Sequence, residues 1–208
     1  MLALLTIFLS SFVIAFSGAL MPGPLLTVTI SESPRRGSVT GPLLIAGHGL
    51  LEMALVIAIF LGLAPLLSQP KVFVAIALSG AAILIWMALG MFRALPRLSL
   101  ASDRKGAAGH PLIVTGILMS LANPYWTVWW VTIGLGYILQ SRQQGPWGVV
   151  FFFVGHILAD FVWYTAVSTA VAKGRHVLTD RLYRQLTGVC AGFLVVFALY
   201  FLYAAWRA

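Results

Sequence analysis

Apolar runs of about twenty residues or more, each holding at most one charged side chain, recur along the whole chain and constrain its fold more than any motif. A helix needs roughly 20 residues to cross about 30 Å of hydrocarbon. Runs of that length at one end would mark an anchor, whereas runs throughout make lipid the main solvent. Only 9% of the residues are charged, against about a quarter in soluble domains. The pattern predicts an all-α integral membrane protein of about six transmembrane helices, over 2–30, 39–67, 72–92, 112–139, 147–172 and 186–206. The run from Leu2 lacks the positive start of a secretory signal and is too long for one, so it is read as a retained first helix.

The net charge of +8 does not point to nucleic acid, because the basic residues fall in gaps between apolar runs. With six spans, the gaps after the first, third and fifth share one side of the membrane. They hold Arg35, Arg36, Arg93, Arg97, Arg104, Lys105, Lys173, Arg175, Arg181 and Arg184, leaving Lys71, Arg142 and Arg207 for the other side. By the positive-inside rule those gaps are cytoplasmic and both termini external. A five-span arrangement with one re-entrant run is the alternative. The lone Cys190 can form no intrachain disulfide and reads as a small packing residue.

The two halves repeat one another in order. Pro22-Gly23-Pro24 is answered by Asn123-Pro124, Gly41-Pro42 by Gly145-Pro146, and Gly47-His48 to Glu52 (GHGLLE) by Gly155-His156 to Asp160 (GHILAD). These matches predict a three-helix unit over 1–92, a cytoplasmic linker over 93–111 and a second unit over 112–208. Three is odd, so the second unit enters the membrane inverted relative to the first, as in many secondary transporters.

Glu52 and Asp160 are the carboxylates set well inside predicted spans, and each follows a histidine, His48 or His156, by four residues. That spacing puts each pair on one helix face. An ionisable group in hydrocarbon costs at least about 2.5 kcal/mol, so all four are expected to face the bundle interior or a wet cavity. The carboxylates would meet a substrate ammonium or a proton, with the imidazoles relaying protons. The alternative is that each histidine bonds its own carboxylate and locks the packing.

Proline inside a helix removes a backbone bond and clashes with the turn before it. Pro22, Gly23 and Pro24, and more mildly Asn123 and Pro124, therefore mark breaks, and apolar sequence continues beyond each one. Freed backbone groups at membrane depth are tolerated only in protein or around a cavity. A half-helix N-terminus there attracts an anion such as a substrate carboxylate. Trp129, Trp130 and Trp147 are expected as interface anchors. Trp126 is too deep for that and is expected to wall the cavity or face a substrate cation. Gly188 and Gly192 form a small-xxx-small face for close helix packing.

The chain has no phosphate loop, no HExxH and no serine nucleophile motif, so neither an enzyme nor ATP-driven transport is expected, and no cofactor. Taken together, Pro22 to Pro24, Arg36-Gly37, Gly41, Gly47, SGAAILIWMALG from Ser79 to Gly90, Asn123-Pro124, Asp160 and the run from Gly188 to Leu199 resemble the lysine exporter (LysE) superfamily, including its threonine and homoserine exporter branch (RhtB). The resemblance covers nearly the whole chain. It implies an inner-membrane exporter driven by an ion gradient, often dimeric, with amino acids as typical substrates. The family usually reads Asn-Pro-Lys where this chain has Tyr125, which removes a cation that would pair with a carboxylate.

Three functions follow. The first is proton-coupled export of an amino acid or related zwitterion, an antiporter with H⁺ as coupling ion. In it Glu52, His48, Pro22, Gly23, Pro24, Asn123, Pro124 and Trp126 form the substrate site, and Asp160 with His156 couples the proton. The second is export of a divalent metal held by His48, Glu52, His156 and Asp160. The third is a membrane scaffold without transport.

Overall fold

A computed structural model describes residues 1–21, 23–63, 65, 69–97, 111–174 and 179–207, and every element among them is helical. Pro22, Arg104, Lys105 and Arg175, and most of the expected linker, lie outside the described residues.

The expected first helix is two. Helix α1 (Leu2–Ala19) stops before the prolines, and α2 (Pro24–Arg36) starts on them, with Gly23 capping it in extended backbone. Pro24 stands in the first turn, where its missing N–H has no helical partner to lose. Gly37 ends α2 at φ +82°, a conformation that favours glycine. At 13 residues and about 1.5 Å of rise each, α2 is too short to span. It instead packs inside the bundle, against α3 (Thr40–Ala58) and α8 (Gly145–Gly174). The Glu32 carboxylate near its end accepts from Arg36 at 2.8 Å and pairs with Arg35 at 3.5 Å.

Helix α3 runs into a π-helical turn, Ile59–Leu63, where Gly62 takes φ +108°. Helix α4 covers Pro70–Ala94 and closes in a single 3-10 turn, Leu95–Arg97. The expected fourth helix breaks where Asn123-Pro124 predicts. Helix α5 (Leu112–Leu121) is followed by α6 (Pro124–Trp129), a π-helical turn over Trp130–Gly134 and α7 (Leu135–Arg142), bent from α5 by 68°. The Asn123 side chain caps α6 by accepting from the Tyr125 N–H at 3.1 Å, the usual N-cap exchange. Helices α8 and α9 (Asp180–Arg207) are unbroken. Among the described residues, five helices are long and apolar enough to cross a membrane, and the bent pair makes a sixth when counted as one span.

The outer surface is apolar. Leu5, Leu9 and Val13 on α1 and Val189, Val196 and Leu199 on α9 face outward, which reverses the pattern of a soluble helix and suits hydrocarbon. Trp147, expected as an anchor, is exposed, as are Trp86 and Trp206.

Inside, glycine lets backbones touch. A Cβ on Gly47 of α3 would stand 1.9 Å from the Ile113 carbonyl oxygen of α5, and one on Gly155 of α8 would stand 2.4 Å from the Phe8 carbonyl oxygen of α1. Helices α4 and α9 form the remaining tight pair through Ala77, Ala81, Leu84, Leu194, Ala198 and Phe201. The expected Gly188 and Gly192 face has no such contact among the described residues, where Gly192 meets nothing within 4 Å and Gly188 meets Leu95.

Candidate functional site

Helices α3 and α8 lie against each other, and the two histidine–carboxylate pairs meet at that seam. Each pair projects from one turn, so the helical repeat alone brings histidine and acid together. Packing α3 on α8 then joins the pairs. His48 Nε2 lies 3.0 Å from Glu52 Oε1 and 3.7 Å from Asp160 Oδ2. His156 Nε2 lies 3.1 Å from Glu52 Oε2 and 3.6 Å from Asp160 Oδ2. Each histidine thus reaches the other helix's acid as well as its own. All four side chains are buried, Glu52 at 1% exposure and Asp160 at 4%.

The polar atoms are not equally satisfied. Glu52 Oε1 accepts from the indole N–H of Trp126 at 3.0 Å and of Trp130 at 2.8 Å. An indole N–H only donates, so this oxygen is held as a hydrogen-bond acceptor. Each such bond to a charged group is worth about 1.5–3 kcal/mol. Glu52 Oε2 and Asp160 Oδ2 are buried and have no hydrogen-bond partner among the described residues. The Ser120 hydroxyl donates to the Gly116 carbonyl at 2.7 Å, so the His48 Nδ1–H donates to Ser120 Oγ, also at 2.7 Å. That bond places the His48 proton on Nδ1 and turns Nε2 toward the carboxylates.

The two helix breaks close over this cluster. Gly23 and Asn123 face each other, a Cβ on Gly23 standing 3.2 Å from Asn123 Nδ2. Ser17, one turn before the first break, takes two bonds from α6. Its carbonyl accepts from the Tyr125 hydroxyl at 3.1 Å and its Oγ from the Trp129 indole at 2.9 Å. Between them a cavity of about 520 Å³, mouth included, is lined by Gly23, Asn123, Trp126, His48, Glu52 and Asp160 among others.

Of the residues expected at the site, the structure thus brings His48, Glu52, His156, Asp160, Gly23, Asn123 and Trp126 to one cavity. Pro24 starts α2 just behind Gly23, buried. Pro124 starts α6, and its side chain lies outside the described residues, as does Pro22.

Two expectations fail. Trp129 and Trp130 are not interface anchors but buried, at 4% and 1% exposure. The break before α6 and the π turn that begins at Trp130 bring both indoles into the bundle. There Trp129 and Trp130 lie 4.7 and 5.3 Å from the His156 ring. Ser120 is also a site residue that the sequence reading passed over. Its signal was a hydroxyl in an apolar run three residues before Asn123.

Comparison with known proteins agrees with this architecture. The chain is 31% identical over 166 residues to the chemotactic transduction protein ChpE of Pseudomonas aeruginosa, covering 77% of this chain and 79% of that protein. It is 22% identical over 201 residues to YcgF of Bacillus subtilis, which carries a provisional name as an amino acid efflux protein, covering 96% of each. No solved structure is significantly similar. Residues 16–205 match the LysE type translocators, and with its apolar helices, its broken span and a buried polar site, the chain is a multi-pass membrane transporter that belongs to that family.

Proposed function

We propose that the protein is a secondary-active exporter of amino acids or related small zwitterions across the cytoplasmic membrane, coupled to protons. The observation that carries this reading is the cavity itself. It sets open carboxylate oxygens, Glu52 Oε2 and Asp160 Oδ2, beside the N-terminal end of α2, whose Gly23 and Leu25 line the same space. A zwitterion needs both, an anion for its ammonium and a helix N-terminus for its carboxylate. The provisional name of the Bacillus relative points to the same solute class.

Within this reading Glu52 is the constant anion, since two indoles hold Oε1, and its open Oε2 receives the ammonium. Asp160 has no fixed donor on Oδ2 and exchanges a proton once per cycle, with His156 as its neighbour. Efflux from proteoliposomes preloaded with a panel of labelled amino acids tests the function. At least one should leave about tenfold faster when a pH difference is imposed than in its absence, a factor worth about 1.4 kcal/mol. A panel with no protein-dependent efflux would overturn the reading.

The inverted repeat belongs to the same proposal, and paired contacts support it. Phe8 touches Gly155 as Ile113 touches Gly47, and Ser11 donates to the Phe152 carbonyl where Gly116 abuts that of Leu44. Both contacts recur with one shift of 105 positions from α1 to α5 and one of 108 from α3 to α8. The charge asymmetry supports a cytoplasmic linker. Cysteines at Ser102, in that linker, and at the exposed Gln143 should then react with impermeant thiol reagents from opposite sides. Same-sided labelling would remove the inverted arrangement.

A further inference from the structure

We propose that His48, Glu52, His156 and Asp160 bind one divalent transition-metal ion of the zinc or manganese class, an inference that goes beyond the zwitterion reading and does not rest on it. One ligand atom from each of His48, Glu52 and Asp160 lies within 4.8 Å of the others, all buried. His156 stands outside that triad, and its Nε2 lies 3.1 Å from Glu52 Oε2 and 3.6 Å from Asp160 Oδ2, near enough to be taken as the fourth ligand. A tetrahedral ion held at about 2.0–2.2 Å puts neighbouring ligand atoms about 3.4 Å apart. The separations that run to the two open oxygens, 3.7 Å from His48 Nε2 to Asp160 Oδ2 and 3.1 and 3.6 Å from His156 Nε2 to Glu52 Oε2 and Asp160 Oδ2, bracket that value.

Three further observations point to a cation and not to packing alone. Glu52 Oε2 and Asp160 Oδ2 are buried beside the two imidazoles without a hydrogen-bond partner, a costly arrangement for a purely structural cluster. The outer bonds are those of a ligand set held in place. Ser120 fixes the His48 tautomer that offers Nε2, and Trp126 and Trp130 occupy Glu52 Oε1 and leave Oε2 for the ion. Charge also balances, because two carboxylates neutralise a divalent ion while two neutral imidazoles add none. The mixed nitrogen and oxygen donors favour a transition ion over Mg²⁺ or Ca²⁺, which prefer oxygen alone. His156 Nδ1 has no hydrogen-bond partner, so that ligand is oriented by the surrounding Trp129, Trp130 and Phe152 rings.

The test uses the full chain in detergent, stripped with chelator, desalted and titrated with Zn²⁺, Mn²⁺ and Mg²⁺. Bound metal is counted by mass spectrometry and affinity measured by calorimetry. One Zn²⁺ or Mn²⁺ per chain is expected, with Mg²⁺ at background. Ser120→Ala, which removes no ligand, should weaken binding by about ten- to a hundredfold, and Ser120→Thr should restore it. That pair reads the site even where His48→Ala or His156→Ala fails to fold. The proposal is overturned if the parent binds no more metal than the folded His156→Ala protein, or if Ser120→Ala leaves affinity unchanged.

Amino-acid efflux from chelator-treated proteoliposomes separates the two readings. Efflux without metal binding overturns this inference alone. Metal binding without efflux of any zwitterion overturns the preceding reading alone.

Discussion

Asp160→Asn should abolish export against a gradient while leaving substrate binding within about tenfold of the parent, a change of about 1.4 kcal/mol or less. The amide keeps the shape of the acid and cannot carry a proton. The effect therefore falls on coupling, and efflux driven by an imposed pH difference drops to the level of protein-free liposomes. Glu52→Gln should behave differently. It removes the one negative charge that Trp126 and Trp130 hold in place, and it offers the substrate ammonium an amide instead of an anion. Equilibrium binding should weaken by about ten- to a hundredfold, or 1.4–2.7 kcal/mol. Binding and flux measured on the same preparations check both outcomes. An Asp160→Asn protein that still concentrates substrate would remove the proton-carrier role. Loss of binding in that variant equal to the loss in Glu52→Gln would merge the two roles.

Gly47→Ala is expected to be strongly destabilising. The added methyl would stand 1.9 Å from the Ile113 carbonyl oxygen and 2.7 Å from its carbon, so α3 and α5 must separate, and backbone gives way less readily than a side chain. Overpacking commonly costs about 1–3 kcal/mol, and a backbone clash belongs at or above the upper end. Gly155→Ala, 2.4 Å from the Phe8 carbonyl, should follow closely. Gly90→Ala, with nothing within 4 Å, should be neutral or gain up to about 1 kcal/mol from helix propensity. Thermal melting of the detergent-solubilised proteins checks the order. Equal stability of the Gly47 and Gly90 variants would refute the α3–α5 contact.

The sequence made the spans, the two breaks and the four ionisable residues legible because each rests on local chemistry. Helix length follows from apolar runs, a break follows from Pro24 or Pro124, and a shared face follows from four-residue spacing. The placement of the tryptophans was not local. Trp126, Trp129 and Trp130 lie within five residues, and their depth is decided by the bend before α6 and by the π turn, which spacing alone does not encode. Reading Trp129 and Trp130 as belt residues failed for that reason. Ser120 was missed because a single hydroxyl in an apolar helix usually bonds back to its own turn. Here it does so and also accepts from His48. The short α2 was hidden by its continuity with α1, although Glu32, Arg35 and Arg36 near its end are a poor composition for a span.

The glycine contacts also define which parts of the molecule can travel. With carbonyls resting on glycine, α1 is keyed to α8 and α5 to α3, and neither pair can slide without first separating. Each pair is mechanically one rod. The two rods meet along the α3–α8 seam, and that seam carries His48, Glu52, His156 and Asp160. Any rocking of one rod against the other therefore opens or shuts the polar cluster directly, with no lever arm between the motion and the chemistry. The surface on which the two rods meet and the surface that carries the four ionisable residues are the same.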